Sequence, residues 1–169
     1  MIIEDGTIVT DADSYVSIEF ADSYFSARGE TSWIELDEDS KAHALIKATD
    51  FVDNIFAWNG KKASANQSLN FPRTGLIDRD GYKVEGIPSK LKQAVCLASL
   101  ISSSGEELFR TNESNGAVVS EKIGEIAFTY DVSKQVQDKT LYESINSLLR
   151  GFYSDKSKSR VYIGEVSRA

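Results

Sequence analysis

The chain has 169 residues, 41% of them apolar and 27% charged, with a formal net charge of −7. That length suits one globular domain with a real core, and the apolar share is that of an ordinary folded protein. One histidine and one cysteine exclude an intrachain disulfide and the usual zinc ligand sets, and apolar runs of a few residues exclude a membrane-spanning helix.

The start, Met1-Ile2-Ile3-Glu4-Asp5-Gly6, has neither the basic residues nor the long apolar stretch of a secretory signal, so a cytosolic site of synthesis is expected. An extended lead follows, with Ile8 and Val9 before a turn at Asp11-Ala12-Asp13. Ser17 caps a first helix over about Ile18 to Arg28, closed by Gly29, with Phe20, Ala21, Tyr24 and Phe25 forming its buried face. Asp37-Glu38-Asp39-Ser40 opens a second helix, since carboxylates suit a positive helix N-terminus. Leu45, Ile46, Thr49, Val52 and Phe56 continue its stripe until Asn59-Gly60.

Residues 61–87 read as an inserted loop with a small hairpin, punctuated by Gly75, Asp80-Gly81 and Gly86. Pro88 then opens a third helix, about Ser89 to Ser103, with Leu91, Val95, Ala98 and Ile101 on its inner face. Cys96 lies in this apolar stretch as a core residue. Residues 118–130 predict a β-hairpin turning near Gly124-Glu125. A last helix, about Lys139 to Phe152, presents Leu141, Ile145, Leu148 and Leu149. The fold class expected is mainly α, a compact bundle of about four helices with a small hairpin and an extended C-terminal tail strand. Residues 1–152 form the helical domain, and residues 153–169 a linker and docking tail.

Chemistry is scarce. His43 is the only base available to a Ser–His–Asp triad, and it sits mid-helix between Ala42 and Ala44. Asp78-Arg79-Asp80-Gly81 fails the calcium-loop pattern in either register, because Leu76 or Tyr82 falls where a ligand belongs; it reads as a polar turn between strands. Asn59-Gly60-Lys61-Lys62 lacks the glycine spacing of a phosphate loop. No enzyme, no cofactor and no metal is expected. Trp33, Trp58 and Phe71, with Lys61, Lys62 and Arg73 nearby, form either a base-stacking platform or aromatics buried against the helices they border.

Charge is uneven. Residues from Gly151 onward balance to +2, which leaves −9 on the body. The tail strand Arg160-Val161-Tyr162-Ile163-Gly164 is a candidate docking segment, since an orphan strand can add to another sheet edge. It has three possible seats: the hairpin of its own chain, a neighbouring copy or another protein.

The order of motifs resembles a phage-encoded family. The likeness is carried by Asp11-Ala12-Asp13-Ser14-Tyr15-Val16-Ser17, Ala21 to Gly29, Trp33, Ala48-Thr49-Asp50-Phe51-Val52-Asp53 and Trp58-Asn59-Gly60. It continues through Gln67 to Gly75, Asp78 to Gly81, Ile87-Pro88 and Ser120 to Gly124, covering about Asp11 to Tyr130. The family carries two labels, a head–tail adaptor or connector and a DnaT-like single-stranded-DNA-binding protein. The adaptor label implies a homo-oligomeric ring, twelve-fold in type, on the portal protein at the head–tail junction of the virion. A downstream tail or nozzle protein would sit below, with genome DNA passing through the lumen. It offers no catalytic residues. Phe71 and Arg73, in the Phe71-Pro72-Arg73-Thr74-Gly75 loop, are candidate partner contacts. An acidic body favours the adaptor, because an acidic lumen repels phosphate; the alternative is a single-stranded-DNA-binding replication accessory protein.

Overall fold

The computed structural model describes residues 1–105, 108, 120–123, 126–129 and 132–154. It is mainly helical: α1 (Ile18–Ser26), α2 (Thr31–Ile34), α3 (Glu38–Ile55), α4 (Ser89–Ser103) and α5 (Val132–Leu149). Two antiparallel pairs complete it, β1 (Lys61–Lys62) with β2 (Arg73–Thr74), and β3 (Ser120–Ile123) with β4 (Ile126–Thr129). Among the described residues no helix is long and apolar enough to cross a membrane.

The central layer is α4, packed between α3 and α5. Its bounds are those the sequence predicts, set by Pro88 as N-cap residue and by Ser104 and Gly105 beyond its last turn. Leu91, Val95, Ala98 and Ile101 are all buried, as their spacing requires. On α3 the Asp37 side chain caps the Ser40 amide, and Ala44, Leu45, Ala48, Phe51 and Val52 face α4 from a continuous stripe. Ile145 and Leu149 bring α5 onto the same core.

Several expectations need correction. Phe20 is 39% exposed, because Ala21 and Phe25, four residues apart, define the inner face of α1 and Phe20 lies beside it. α1 also ends at Ser26, with Ala27 as C-cap and Gly29 at φ 68 just beyond. The single turn α2 was not foreseen. Ile46 is only half-buried, and Phe56 lies past the end of α3 in extended backbone. α5 begins at Val132 rather than near Lys139, since residues 132–138 contain no glycine or proline to stop a helix; at the other end Gly151, at φ 106, leaves Phe152 outside it.

The N-terminal lead is not simply extended. Ile3 bridges Ser14, and between them the chain wraps the fully buried Glu4 carboxylate, which accepts from the Gly6, Ile8 and Val9 amides at 2.8–3.1 Å. That wrapping holds Ile8 at φ 66, a conformation a β-branched residue rarely adopts. β3 and β4 pair with Ile123 opposite Ile126, the register expected of a hairpin turning between them.

Candidate functional site

Residues 57–86 have little core of their own and are fastened by a few polar side chains. Asp53, on the last turn of α3, is the main fastening. Its Oδ1 accepts the Tyr15 hydroxyl at 2.5 Å and its Oδ2 accepts the Asn70 amide at 2.8 Å. The Tyr15 oxygen in turn accepts the Phe71 amide at 3.0 Å, and the Asp53 carbonyl accepts from Asn70 Nδ2 and Trp58 Nε1. Burial raises the Asp53 carboxyl above its ordinary value, more than the Tyr15 and Asn70 hydrogen bonds lower it. Burial and the facing Asp53 charge push the Tyr15 phenol far up.

Arg73 is the second fastening. Its guanidinium donates to the carbonyls of Asn59 (2.7 Å), Asn70 (3.1 Å), Gly60 (3.0 Å) and Trp58 (3.4 Å). Gln67, 5% exposed, is the third, accepting from Ser64 N and donating to the carbonyls of Leu69 and Pro72. The Phe71-Pro72 peptide is cis.

Phe71 therefore lies in the core, fully buried, and its ring offers no contact surface to a partner. Arg73 is half-buried with its donors directed at this chain's own carbonyls. Both were candidate partner contacts; the structure uses both to order the loop. The other candidates, Arg160, Val161, Tyr162, Ile163 and Gly164, lie outside the described residues.

The aromatic and basic groups do come together. Trp58 sits edge-on to Phe71 with ring centroids 4.9 Å apart, and Phe56 lies 5.3 Å from Trp58. Tyr153, distant in sequence, closes the group at 4.6 Å from Phe56 and pairs its backbone with Trp58. Asn59 N to the Phe152 carbonyl and Ser154 N to the Ala57 carbonyl, each 2.9 Å, extend that pairing. Phe56, Trp58 and Tyr153 are each half-buried. Trp33 differs: it is fully buried 4.8 Å from Phe25, with its indole N–H on Asp22.

Exposed cations border this group. Lys61 and Lys62 form β1, two residues beyond Asn59. Arg150 precedes Gly151, and the Arg79 stem lies so close over Gly151 that a Cβ there would clash with its Cγ. Trp58, Lys61 and Lys62 are legible in the sequence, whereas Arg79, Arg150 and Tyr153 are not, because their proximity depends on how α5 ends.

The face is also electrostatically distinct. Residues 1–56 hold thirteen acidic and three basic side chains, a balance of −10, whereas residues 57–83 hold five basic and two acidic, a balance of +3. The whole-chain charge hides that reversal.

Elsewhere the chemistry is structural. His43 is exposed on α3. Cys96 is buried, and burial pushes its thiol up to about 12, which keeps it protonated and unreactive. Asp78 ties the 78–82 turn, its carboxylate accepting from the Asp80 and Tyr82 amides beneath an Ile77–Lys83 bridge. Among the described residues no three His, Cys, Asp or Glu side chains converge as a metal site.

Fold and face together define a small helical domain with an aromatic–basic surface built on an inserted loop. The chain belongs to the family described as "Putative DnaT-like ssDNA binding protein", whose match spans residues 1–169. No curated protein and no solved structure matches the chain at a significant level.

Proposed function

We propose that the chain binds single-stranded DNA through the face formed by residues 56–83 and 150–153. The observation that carries this reading is the charge reversal: the half-buried Phe56, Trp58 and Tyr153 stand where the balance turns from −10 to +3. Aromatic rings flanked by cations bind single strands by stacking bases and neutralising phosphates. The family description names the same ligand. The reading needs no catalysis, cofactor or metal.

Fluorescence anisotropy with an oligothymidylate tests it. Binding at micromolar concentration or below is expected at low salt, weakening as salt rises, with a slope set by the few phosphates neutralised. The double substitution Lys61→Glu, Lys62→Glu, on exposed positions, should weaken binding more than tenfold. Absence of binding at low salt would overturn the reading.

A second reading is favoured by the acidic remainder. A ring-forming head–tail adaptor of a tailed bacteriophage, seated on the portal protein in the virion with a tail protein below, would gain from an acidic lumen that repels passing DNA. Eleven of the thirteen carboxylates within residues 1–56, all but Glu4 and Asp53, lie outside the buried core and fit that demand. Mixing the protein with its cognate portal and imaging by electron microscopy tests it; the absence of any symmetric complex would count against it.

A further inference from the structure

We propose that Tyr82 is a stacking platform for an unpaired base at the outer edge of the same face. The inference rests on the single-stranded-DNA reading above and adds an outlying base contact to those of Phe56, Trp58 and Tyr153. Tyr82 is 72% exposed, so its ring contributes little to the fold.

Its backbone, by contrast, is firmly placed. The Tyr82 amide donates to Asp78 Oδ1 at 2.8 Å and its carbonyl accepts the Asp78 amide at 2.9 Å. Gly81, at φ 90, supplies the left-handed residue the turn needs, and its amide reaches the Asp78 carbonyl. Below the turn, Ile77 bridges Lys83 and the Val84 amide reaches the buried Leu76 carbonyl at 3.0 Å. An exposed ring on an ordered turn loses little freedom when a flat ligand settles on it, which is the condition for a preorganised contact.

Charge and chemistry narrow the occupant. Arg79 and Lys83 belong to the same turn, and Ile77, 54% exposed, is bridged to Lys83 at its base. Asp78 and Asp80 cancel those two cations in number, so the tip itself is neutral and its attraction is that of the ring. The lobe around it carries the +3 balance. A neutral aromatic tip within a cationic lobe suits a base whose own phosphates are held by Lys61 and Lys62. A duplex has no free base face to offer, since its bases stack on one another.

Anisotropy measurements on the full chain test this with a single-stranded oligonucleotide and the corresponding duplex. Tyr82→Ala should lower single-strand affinity about 5- to 100-fold, while the salt slope stays unchanged because no phosphate contact is removed. Tyr82→Phe, which restores the ring, should recover most of that loss, and duplex affinity should not respond to either change. If the wild-type chain binds single strands and Tyr82→Ala binds equally well, the platform is wrong and the function above stands. If wild-type binds no single strand, both fall. If Tyr82→Ala instead alters sedimentation of the free protein, the ring contacts a second copy and the proposal is overturned.

Discussion

In residues 1–56, helices α1 and α3 face the core with stripes of apolar side chains, and the outward surfaces carry carboxylates. In residues 57–86 the strands are two residues long, the surface charge changes sign, and few side chains reach the core. Order there comes from Asp53, Gln67 and Arg73, each gathering several backbone groups. The first region distributes its stability over many contacts of modest worth. The second concentrates it in a few polar groups, so single polar substitutions should act far more strongly there.

The largest effect is expected at Asp53. Asp53→Ala would leave the Tyr15 hydroxyl and the Asn70 amide without their acceptor in a buried setting, at a cost of about 3 kcal/mol. The urea midpoint should fall accordingly, with amides of the inserted loop exposed to exchange before those of α4. Acidity sharpens the point. Because burial raises the folded-state value, the folded protein holds the Asp53 proton more tightly than the unfolded chain does. That contribution is fully present below the ordinary value of 3.8 and is lost as pH rises through the folded value. Relative to Asp53→Asn, which does not titrate, the wild-type chain should therefore lose stability as pH rises above 3.8. A difference that stays constant over that range would mean that folding does not alter the proton affinity of Asp53.

The contrast between the regions also explains what the sequence reveals. Elements built on apolar periodicity and ended by Pro88 or Gly105 are legible, which is why α4 falls where expected. The loop itself is legible through Gly75 and Gly81, but its fastenings are not. Pro72 and Gly75 around Arg73 mark an ordered loop without saying whether Arg73 faces a partner or its own chain; four nearby carbonyls decide that. Tyr153 and Arg150 join the face from about ninety residues away, through backbone pairing that no local pattern records. Ile8 at φ 66 is hidden for a similar reason, since the cause is the buried Glu4 carboxylate.

Arg73→Lys should have the next effect, about 1–2 kcal/mol, because a lysine offers one point charge where the guanidinium fans its donors over four carbonyls. The loss should be local: faster hydrogen exchange at Lys61, Lys62 and Thr74, with α1 and α3 unchanged. Uniform acceleration across the helices would break the contrast, since it would make the loop part of the same cooperative unit.

The smallest effect is expected in the acidic region, at Asp22. Its carboxylate pairs with Lys41 at 2.9 Å and accepts the Trp33 indole N–H at 2.8 Å, an arrangement that resembles the Asp53 fastening. Two features make it weaker. The Asp22 side chain is 44% exposed, so water and salt screen the pair. Glu19 also lies near enough for the Asp22 charge to act on it, and removing one carboxylate relieves that repulsion. Asp22→Asn keeps an oxygen acceptor for Trp33 and loses only the charge, so a cost of about 0.5 kcal/mol is expected, vanishing at high salt. Chemical denaturation of Asp22→Asn, Lys41→Met and the double variant isolates the pair from the repulsion. A coupling as large as the Asp53 effect would show that the acidic region is fastened by point contacts too, and the division between the two halves would fail.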